Sequence, residues 1–157
     1  MTGELKPFRL TRIADVVRWW PFFKEGIEYE ARYLRYTHPL DVYRQILFHL
    51  VKQHDTAWVQ VALLDGEPVA FVMAHEITPL FAETREFEVS LFYFRPGYKP
   101  AIRLLQSQLD TFCRSNSVSF YYLTTSSRCG AAKRVFSETW RGLEHSNTVF
   151  KRKVIQS

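Results

Sequence analysis

The chain of 157 residues is 46% hydrophobic and 24% charged, which fits a single globular domain and excludes an intrinsically disordered chain. Basic residues outnumber acidic residues by 21 to 16, so the net charge of +5 favours anionic partners. No apolar run reaches the roughly 20 residues that a membrane-spanning helix needs, which predicts no membrane insertion. Residues 1–7 lack the basic start and apolar stretch of a secretory signal, so we expect a cytoplasmic protein.

The first part of the chain predicts a strand and two helices. Leu5–Leu10 can form the strand, and Thr11 can cap a first helix that bends or breaks at Pro21. A second helix is predicted from Pro39 to near Gln53, because its apolar residues form one stripe. The apolar residues at helical spacing in the first helix are Ile13, Val16, Val17, Trp20 and Phe23.

The middle of the chain predicts three strands. Thr56–Leu64 and Val69–Ile77 form an antiparallel hairpin, because Asp65-Gly66 between them is a strong hairpin turn. Glu86–Phe94 is predicted to be a central strand with both faces largely apolar. Strict alternation places one set of its residues on one face, namely Phe87, Val89, Leu91 and Tyr93. The other face then receives Glu88, Ser90, Phe92 and Phe94.

A helix beginning near Lys99 follows, with its apolar positions Ile102, Leu105, Leu109 and Phe112 facing the sheet. Val118–Thr125 returns as a strand parallel to Glu86–Phe94 through a right-handed crossover. A helix capped by Ser126 or Ser127 and a strand over Glu144–Val154 complete the order. The predicted fold class is α/β of the α+β kind: a single domain over residues 1–157, whose mixed, mostly antiparallel central sheet is flanked by helices.

Cysteines and histidines predict neither a disulfide nor a metal. Cys113 and Cys129 lie in segments with helical patterns, and a chain of this length can build its core without a disulfide. We predict two buried free thiols. The five histidines are scattered and no Cys-x-x-Cys occurs, so no structural metal is expected.

This order of elements resembles the Gcn5-related N-acetyltransferase (GNAT) fold over nearly the whole chain. Residues 62–72 look like the family's hairpin, in which an acidic-glycine turn leads into a strand. Residues 91–99 look like its fourth strand and the run into its coenzyme A loop. Ala131, Ala132 and Phe136 are similar to a segment of its last helix.

The resemblance implies transfer of an acetyl group from acetyl-coenzyme A (acetyl-CoA) to an amine. The family loop offers backbone N–H groups to the pyrophosphate at a helix N-terminus. In this chain the loop is shorter, lacks the family's glycine pair and loses one donor at Pro100, while Lys99 and Arg103 can supply charge. The implied coenzyme-binding residues are Phe92, Tyr93, Phe94, Lys99, Ala101, Ile102 and Arg103.

The resemblance also assigns catalytic roles. A general base would be a carboxylate or histidine on the central strands, for which Glu88 is the first candidate and Glu76 and His75 come next. Phe136 stands where the family commonly has a tyrosine as general acid. Three tyrosines are left for that role, namely Tyr98, Tyr121 and Tyr122. We name Tyr98, with Glu88, as the predicted catalytic residues.

Two alternatives stay open. The short loop and Phe136 favour a catalytically inactive binding or structural component, and short chains of this kind resemble bacteriophage proteins, some of them in the virion. Exposed aromatic residues among residues 19–23 would suit a protein partner, although packing on the sheet is the simpler reading. Basic residues near the C-terminus suit nucleic acid, but alternating charges are more typical of a solvated edge strand.

The positive charge is concentrated in one half of the sequence. Residues 1–84 have a net charge of −2, whereas residues 85–157 have a net charge of +7. The resemblance places the anionic coenzyme against this second half.

Overall fold

A computed structural model describes residues 3–31, 56–77 and 84–123, together with residues 40, 41, 43, 44 and 47, which are helical as predicted. The predicted helix after Ser126 and the strand Glu144–Val154 lie outside the described residues. The elements are β1 (Leu5–Arg9), α1 (Ile13–Arg18), α2 (Trp20–Ala31), β2 (Ala57–Leu64), β3 (Glu67–Ile77), β4 (Glu86–Phe94), α3 (Lys99–Ser115) and β5 (Phe120–Leu123). Within the described ranges, no helix is long and apolar enough to cross a membrane.

The five described strands form one sheet in the order β1-β2-β3-β4-β5. All described pairs are antiparallel except β4 and β5, which run parallel, so the predicted mixed, mostly antiparallel sheet is confirmed. The β2–β3 turn has positive φ at both central residues, 51° at Asp65 and 86° at Gly66, as a two-residue hairpin turn requires. Because β4 pairs on both sides, its prediction as an internal strand is also confirmed.

Helix α3 covers one face of the sheet, which we call the α3 face. The predicted stripe is confirmed: Ile102, Leu105 and Leu109 have no exposed surface, and Phe112 is 6% exposed. Cys113 is buried beside them as a free thiol, and burial raises its pKa to about 11. Cys129 lies outside the described residues.

Helices α1 and α2 cover the opposite face, which we call the α2 face. The predicted stripe of α1 was wrong at Ile13 and Val17, which are 46% and 57% exposed. The helix breaks at Trp19, where φ is −103° and ψ is 14°. Because of this break, the side chains of Trp19 and Phe22 point into the core. Phe23 is buried with them. Their interpretation as an exposed partner surface was therefore wrong, and Trp20 is half-buried with its ring centroid 4.5 Å from that of Tyr43.

The start of α1 also differs from the prediction. Arg12, not Thr11, occupies the N-cap position, and its side chain makes no capping hydrogen bond. Its guanidinium instead donates to both oxygens of Asp15, each at 3.1 Å. Asp15 lies in the first turn, where the helix dipole favours a carboxylate.

Gly26 allows α2 to approach the sheet closely. A Cβ atom at this position would lie 2.6 Å from Cε1 of Phe71 and 2.7 Å from Cγ of Tyr93. We predict that Gly26→Ala lowers the free energy of unfolding by about 1–3 kcal/mol, because the helix or both rings must move. Urea denaturation measures this loss. Glycine-to-alanine substitution in a helix is otherwise favourable, so a stabilised variant would contradict the close contact.

A β-bulge changes the faces of β4. Met73 pairs with Leu91 and Ala74 pairs with Val89, so Ser90 is an extra residue without a counterpart on β3. Before the bulge, Phe87 and Val89 lie on the α3 face; after it, Leu91 and Tyr93 lie on the α2 face. The predicted strict alternation along β4 was therefore wrong, because one inserted residue inverts the pattern.

Arg85 joins the beginning of β4 to the end of α3. Its guanidinium donates to both carboxylate oxygens of Glu76 at 3.0 and 3.1 Å and to the carbonyl oxygen of Asn116 at 3.0 Å. Ser119, just before β5, donates its N–H to the carbonyl oxygen of Arg85 at 2.8 Å. This arrangement fixes β4 and β5 side by side where their pairing begins.

Candidate active site

Glu88 lies on the α2 face of β4, two residues before the bulge. Its neighbours Phe87 and Val89 point into the α3-face core, so its own side chain points the opposite way. The sequence prediction that Glu88 is opposite Phe87 and Val89 is confirmed. Its predicted sharing of a face with Phe92 was wrong, because Phe92 follows the bulge and packs on the α3 face.

His75 stands directly opposite Glu88 on β3. The His75 Nε2 atom lies 4.0 Å from Glu88 Oε2, and the two side chains are 28% and 31% exposed. Both are thus partly buried but open to solvent, which a residue exchanging protons with a ligand requires. Glu76, the other candidate base, points to the opposite face and is held by Arg85.

Two further groups on the α2 face complete a cluster around Glu88. Tyr122 of β5 pairs in register with Glu88 and is 36% exposed. Its hydroxyl is hydrogen-bonded to Glu86, and this bond raises the pKa of Tyr122. Glu86 also accepts a hydrogen bond from Thr84 Oγ1 at 2.9 Å. We call His75, Glu86, Glu88 and Tyr122 the β4 polar cluster.

The structure distinguishes the three candidate tyrosines. Tyr121 lies on the α3 face and donates its hydroxyl to Asp110 Oδ1 at 2.8 Å. Tyr98 is the N-cap residue of α3 and packs against the α3-face core. About 20 Å of strand separates Glu88 from the end of β4 before Tyr98, so the structure does not bring the two predicted catalytic residues together. Tyr122 is the tyrosine that lies beside Glu88.

The β4 polar cluster lies where the described pairing of β4 with β5 ends. The last described pair is Val89 with Leu123, and Ser90 follows as the bulge. β4 then continues to Phe94 along β3. A bulge next to a site re-aims the strand and interrupts its ladder with the neighbouring strand.

The predicted coenzyme-binding residues fall into exposed and buried groups. Lys99 and Arg103 are exposed, one turn apart on α3. Ala101 and Ile102 are 1% and 0% exposed and belong to the α3-face core, so only their backbone could contact a ligand. Ala101 already donates its N–H to the carbonyl oxygen of Tyr98 at 3.0 Å.

The aromatic residues at the end of β4 are divided between the two faces. Phe92 and Phe94 are half-buried on the α3 face, with ring centroids 5.8 Å apart. Tyr93 is 7% exposed on the α2 face, where its hydroxyl donates to Glu25 Oε1 at 2.5 Å. The three residues therefore do not form one binding surface.

The turn from β4 into α3 contains Gly97 with φ of +91° and open space around the position of a Cβ. The 17-residue helix α3 then begins at Lys99, with no side-chain capping bond and with Pro100 in its first turn. A helix N-terminus without a cap attracts anions through its dipole and its N–H groups. Pro100 and the bonded Ala101 N–H leave fewer donors than a full first turn offers.

Sequence reasoning missed Glu25 and Arg95. Arg95 follows β4, and its guanidinium nitrogens lie 2.9–3.3 Å from both carboxylate oxygens of Glu25 on α2. The hydrogen bonds from Arg95 hold the pKa of Glu25 below its ordinary value, and the hydroxyl of Tyr93 acts in the same direction. Glu25 and Arg95 are 70 residues apart in the chain, so no local sequence motif predicts their contact.

Acid titration should report on Glu25. A carboxyl with a lowered folded-state pKa stabilises the protein above its unfolded pKa, and this contribution is lost as pH falls through the folded value. We predict that wild type exceeds Glu25→Gln in stability at neutral pH and that the difference shrinks below about pH 5. Urea denaturation between neutral and acidic pH tests this. Glu28→Gln, in an exposed pair with Lys24, should show a much smaller difference.

The fold is that of known acetyltransferases. An aminoglycoside antibiotic 6'-N-acetyltransferase from Acinetobacter baumannii matches with a TM-score of 0.71 and 10% identity, over 98% of this chain and 100% of that chain. The ribosomal-protein-alanine N-acetyltransferase from Brucella melitensis biovar Abortus 2308 matches with a TM-score of 0.63 and 17% identity, over 96% and 100%. No protein-family model and no curated relative matches the sequence.

A third match is with a structure that contains a ligand. AAC(6')-Iy in complex with the bisubstrate analog CoA-S-monomethyl-acetylneamine has a TM-score of 0.72 and 13% identity, over 97% of this chain and 99% of that chain. At these identities the comparison establishes the fold. The chain thus has the GNAT fold, as its order of strands and helices predicts.

Proposed function

We propose that this protein is a GNAT-like N-acetyltransferase that transfers an acetyl group from acetyl-CoA to an amine. The observation that supports this most directly is the position of Glu88. In a chain with the acetyltransferase fold, this partly exposed carboxylate stands beside His75 and Tyr122, immediately before the bulge of the central strand. The basic residues near the C-terminus on which the nucleic-acid alternative depends lie outside the described residues.

The proposed role of Glu88 is that of general base. An amine attacks a thioester only after its ammonium form loses a proton, and a carboxylate within reach, directly or through one water, can accept it. His75 lies 4.0 Å from Glu88, which is beyond a direct hydrogen bond, so its proposed role is to orient the carboxylate through a bridging water. Glu86 is buried on the same face, and its carboxyl group adds negative charge near Glu88, which favours a cationic acceptor.

The proposed proton donor to the departing thiolate is Tyr122 rather than Tyr98. Tyr122 shares the α2 face and the register of Glu88, whereas Tyr98 caps α3 at the far end of β4. An exposed hydroxyl can exchange its proton with solvent after each turnover. This replaces the predicted pair of Glu88 and Tyr98 with a pair that lies on one face of the sheet.

Residues at the start of α3 suit the phosphates of acetyl-CoA. Lys99 and Arg103 supply positive charge beside an uncapped helix N-terminus, and the open turn at Gly97 leaves room for close approach. The backbone of β4 after Ser90 is the proposed contact for the coenzyme arm. Acetyl-CoA, when bound, supplies the thioester that the amine attacks.

Calorimetric titration with acetyl-CoA and with desulfo-CoA tests this proposal. We expect both to bind, and we expect Lys99→Ala and Arg103→Ala to weaken both. Thr111→Ala, further along the same helix, is a matched control that should bind as wild type does. Turnover with a panel of primary amines and polyamines can be followed as free thiol. The absence of binding at millimolar coenzyme would refute the proposal.

One observation favours a second candidate, a non-catalytic member of the same fold. The first turn of α3 contains Pro100, and the Ala101 N–H already has a partner, so few backbone donors remain for a pyrophosphate. Such a protein would act as a binding or structural component, in the cytoplasm or, as its resemblance to phage proteins suggests, in a virion. It would give no heat with either coenzyme and would co-purify with a partner at fixed stoichiometry.

A further inference from the structure

Glu25, Tyr93 and Arg95 form a hydrogen-bonded group away from the β4 polar cluster. Glu25 accepts from the Tyr93 hydroxyl at 2.5 Å and from Arg95 at 2.9–3.3 Å. The Arg95 guanidinium carbon also lies 4.9 Å from the centroid of the Phe22 ring. One carboxylate thus accepts hydrogen bonds from a buried tyrosine and from an arginine guanidinium. We expect these bonds to stabilise the protein more than an ordinary surface ion pair does.

Arg95 is also the first residue of the turn that leads into α3. Its N–H donates to the carbonyl oxygen of Val69 at 2.9 Å, and its Nη1 donates to that of Pro68 at 3.3 Å. Its own carbonyl oxygen accepts the N–H of Tyr98 at 3.3 Å. The turn beyond it has open space at Gly97, and no side chain caps α3. Among the described contacts, those of Arg95 hold the start of this turn, and the packing of Tyr98 on the α3-face core holds its end.

The position of Glu25 is itself well determined. Its neighbour Gly26 presses α2 against Phe71 and Tyr93, so the depth of the helix on the sheet leaves little freedom. Helix α2 covers one face of the sheet, and α3 covers the other. The Glu25–Arg95 contact therefore connects a helix on one face to the turn that enters the helix on the other.

We propose that Glu25 is a positioning residue that fixes the turn of residues 95–98 and thereby the N-terminus of α3. The proposed function has the coenzyme phosphates bind at this N-terminus, so the expected effect of Glu25 on coenzyme affinity rests on that function. Without Glu25, Arg95 keeps its backbone bonds but can rotate its side chain away, and the turn then samples other positions. Affinity for the coenzyme falls as a result, while the chemistry at Glu88 is left intact.

Glu25→Gln tests this against Glu28→Gln, which removes the same charge three residues later on α2, from an exposed pair with Lys24. We expect Glu25→Gln to weaken desulfo-CoA binding by about five- to tenfold in calorimetry. The KM for acetyl-CoA should rise by a similar factor, while kcat and the KM for the amine change less than about twofold. Glu28→Gln should match wild type in each measurement.

Hydrogen exchange of the free protein supplies a test that needs no coenzyme. Amides of residues 97–99, 101 and 102 should exchange faster in Glu25→Gln than in Glu28→Gln, with the amides of β2 and β3 unchanged. If Glu25→Gln does not fold, Tyr93→Phe removes one of the two partners of Glu25, with little change in volume, and should give a smaller change in the same segment. Equal exchange in the Glu25 and Glu28 variants would overturn the positioning role.

The two proposals fail in different ways. If wild type binds no coenzyme, the proposed function is refuted, and hydrogen exchange alone decides the role of Glu25. If wild type binds coenzyme and Glu25→Gln binds it equally well, the function stands and the effect on affinity is refuted. The double variant of Arg95→Lys and Glu25→Gln should bind the coenzyme no more weakly than Arg95→Lys alone, because lysine already loses the forked contact with Glu25. Additive losses would contradict a shared action.

Discussion

Glu88→Gln is expected to lower kcat for acetyl transfer about 100-fold or more, because it removes the carboxylate that accepts the ammonium proton. The amide has nearly the same shape, so the strand and its contacts should be preserved. The KM for acetyl-CoA should stay within about twofold of wild type, since Glu88 lies far from the N-terminus of α3. Steady-state kinetics at neutral pH, with thiol release as the readout, measure both constants.

Two further measurements distinguish a general base from a merely structural residue. At high pH the free amine is more abundant and needs no base, so the deficit of Glu88→Gln should become smaller. Glu67→Gln changes an exposed carboxylate at the start of β3 and serves as the matched control, which should retain full activity. A Glu88→Gln enzyme with undiminished kcat would show that another group accepts the proton.

Most of the described fold could be predicted from local patterns. The turn at Asp65-Gly66, the stripe of α3 and the bounds of β4 all depend on residues close together in the chain. In these segments the local preference and the tertiary packing agree, so a single sequence suffices. The fold class follows from the order of these elements, and the structure confirms it.

The details that decide the site could not be predicted in this way. The bulge at Ser90 depends on how β4 pairs with β3. The residue types around Ser90 give no sign of it. The bulge exchanges the two faces for all later residues of β4. Strict alternation therefore puts Phe92 on the wrong face, together with Glu88. The partners of Glu88 and Arg95 come from other elements of the fold. Such contacts are properties of tertiary packing and leave no periodic pattern in the sequence.

The second large effect concerns Phe87, the residue next to Glu88. Its side chain has no exposed surface, its ring lies 5.5 Å from that of Phe112 at 72°, and Arg85 lies 5.6 Å from its centroid. We expect Phe87→Ala to lower the free energy of unfolding by about 3–5 kcal/mol, because it removes a large apolar group and leaves a cavity between β4 and α3. Urea denaturation at neutral pH measures the loss.

Phe87→Leu provides the control, because it keeps most of the apolar volume and should cost less than about 1.5 kcal/mol. Since Phe87 and Glu88 point to opposite faces, the leucine variant should also retain kcat, which separates the core from the site. For a domain of ordinary stability, about 5–15 kcal/mol, the alanine variant would lose a large part of the total. A loss of stability below about 1 kcal/mol would show that the Phe87 ring is not packed in the core. It would also contradict the assignment of Glu88 to the opposite face of the sheet.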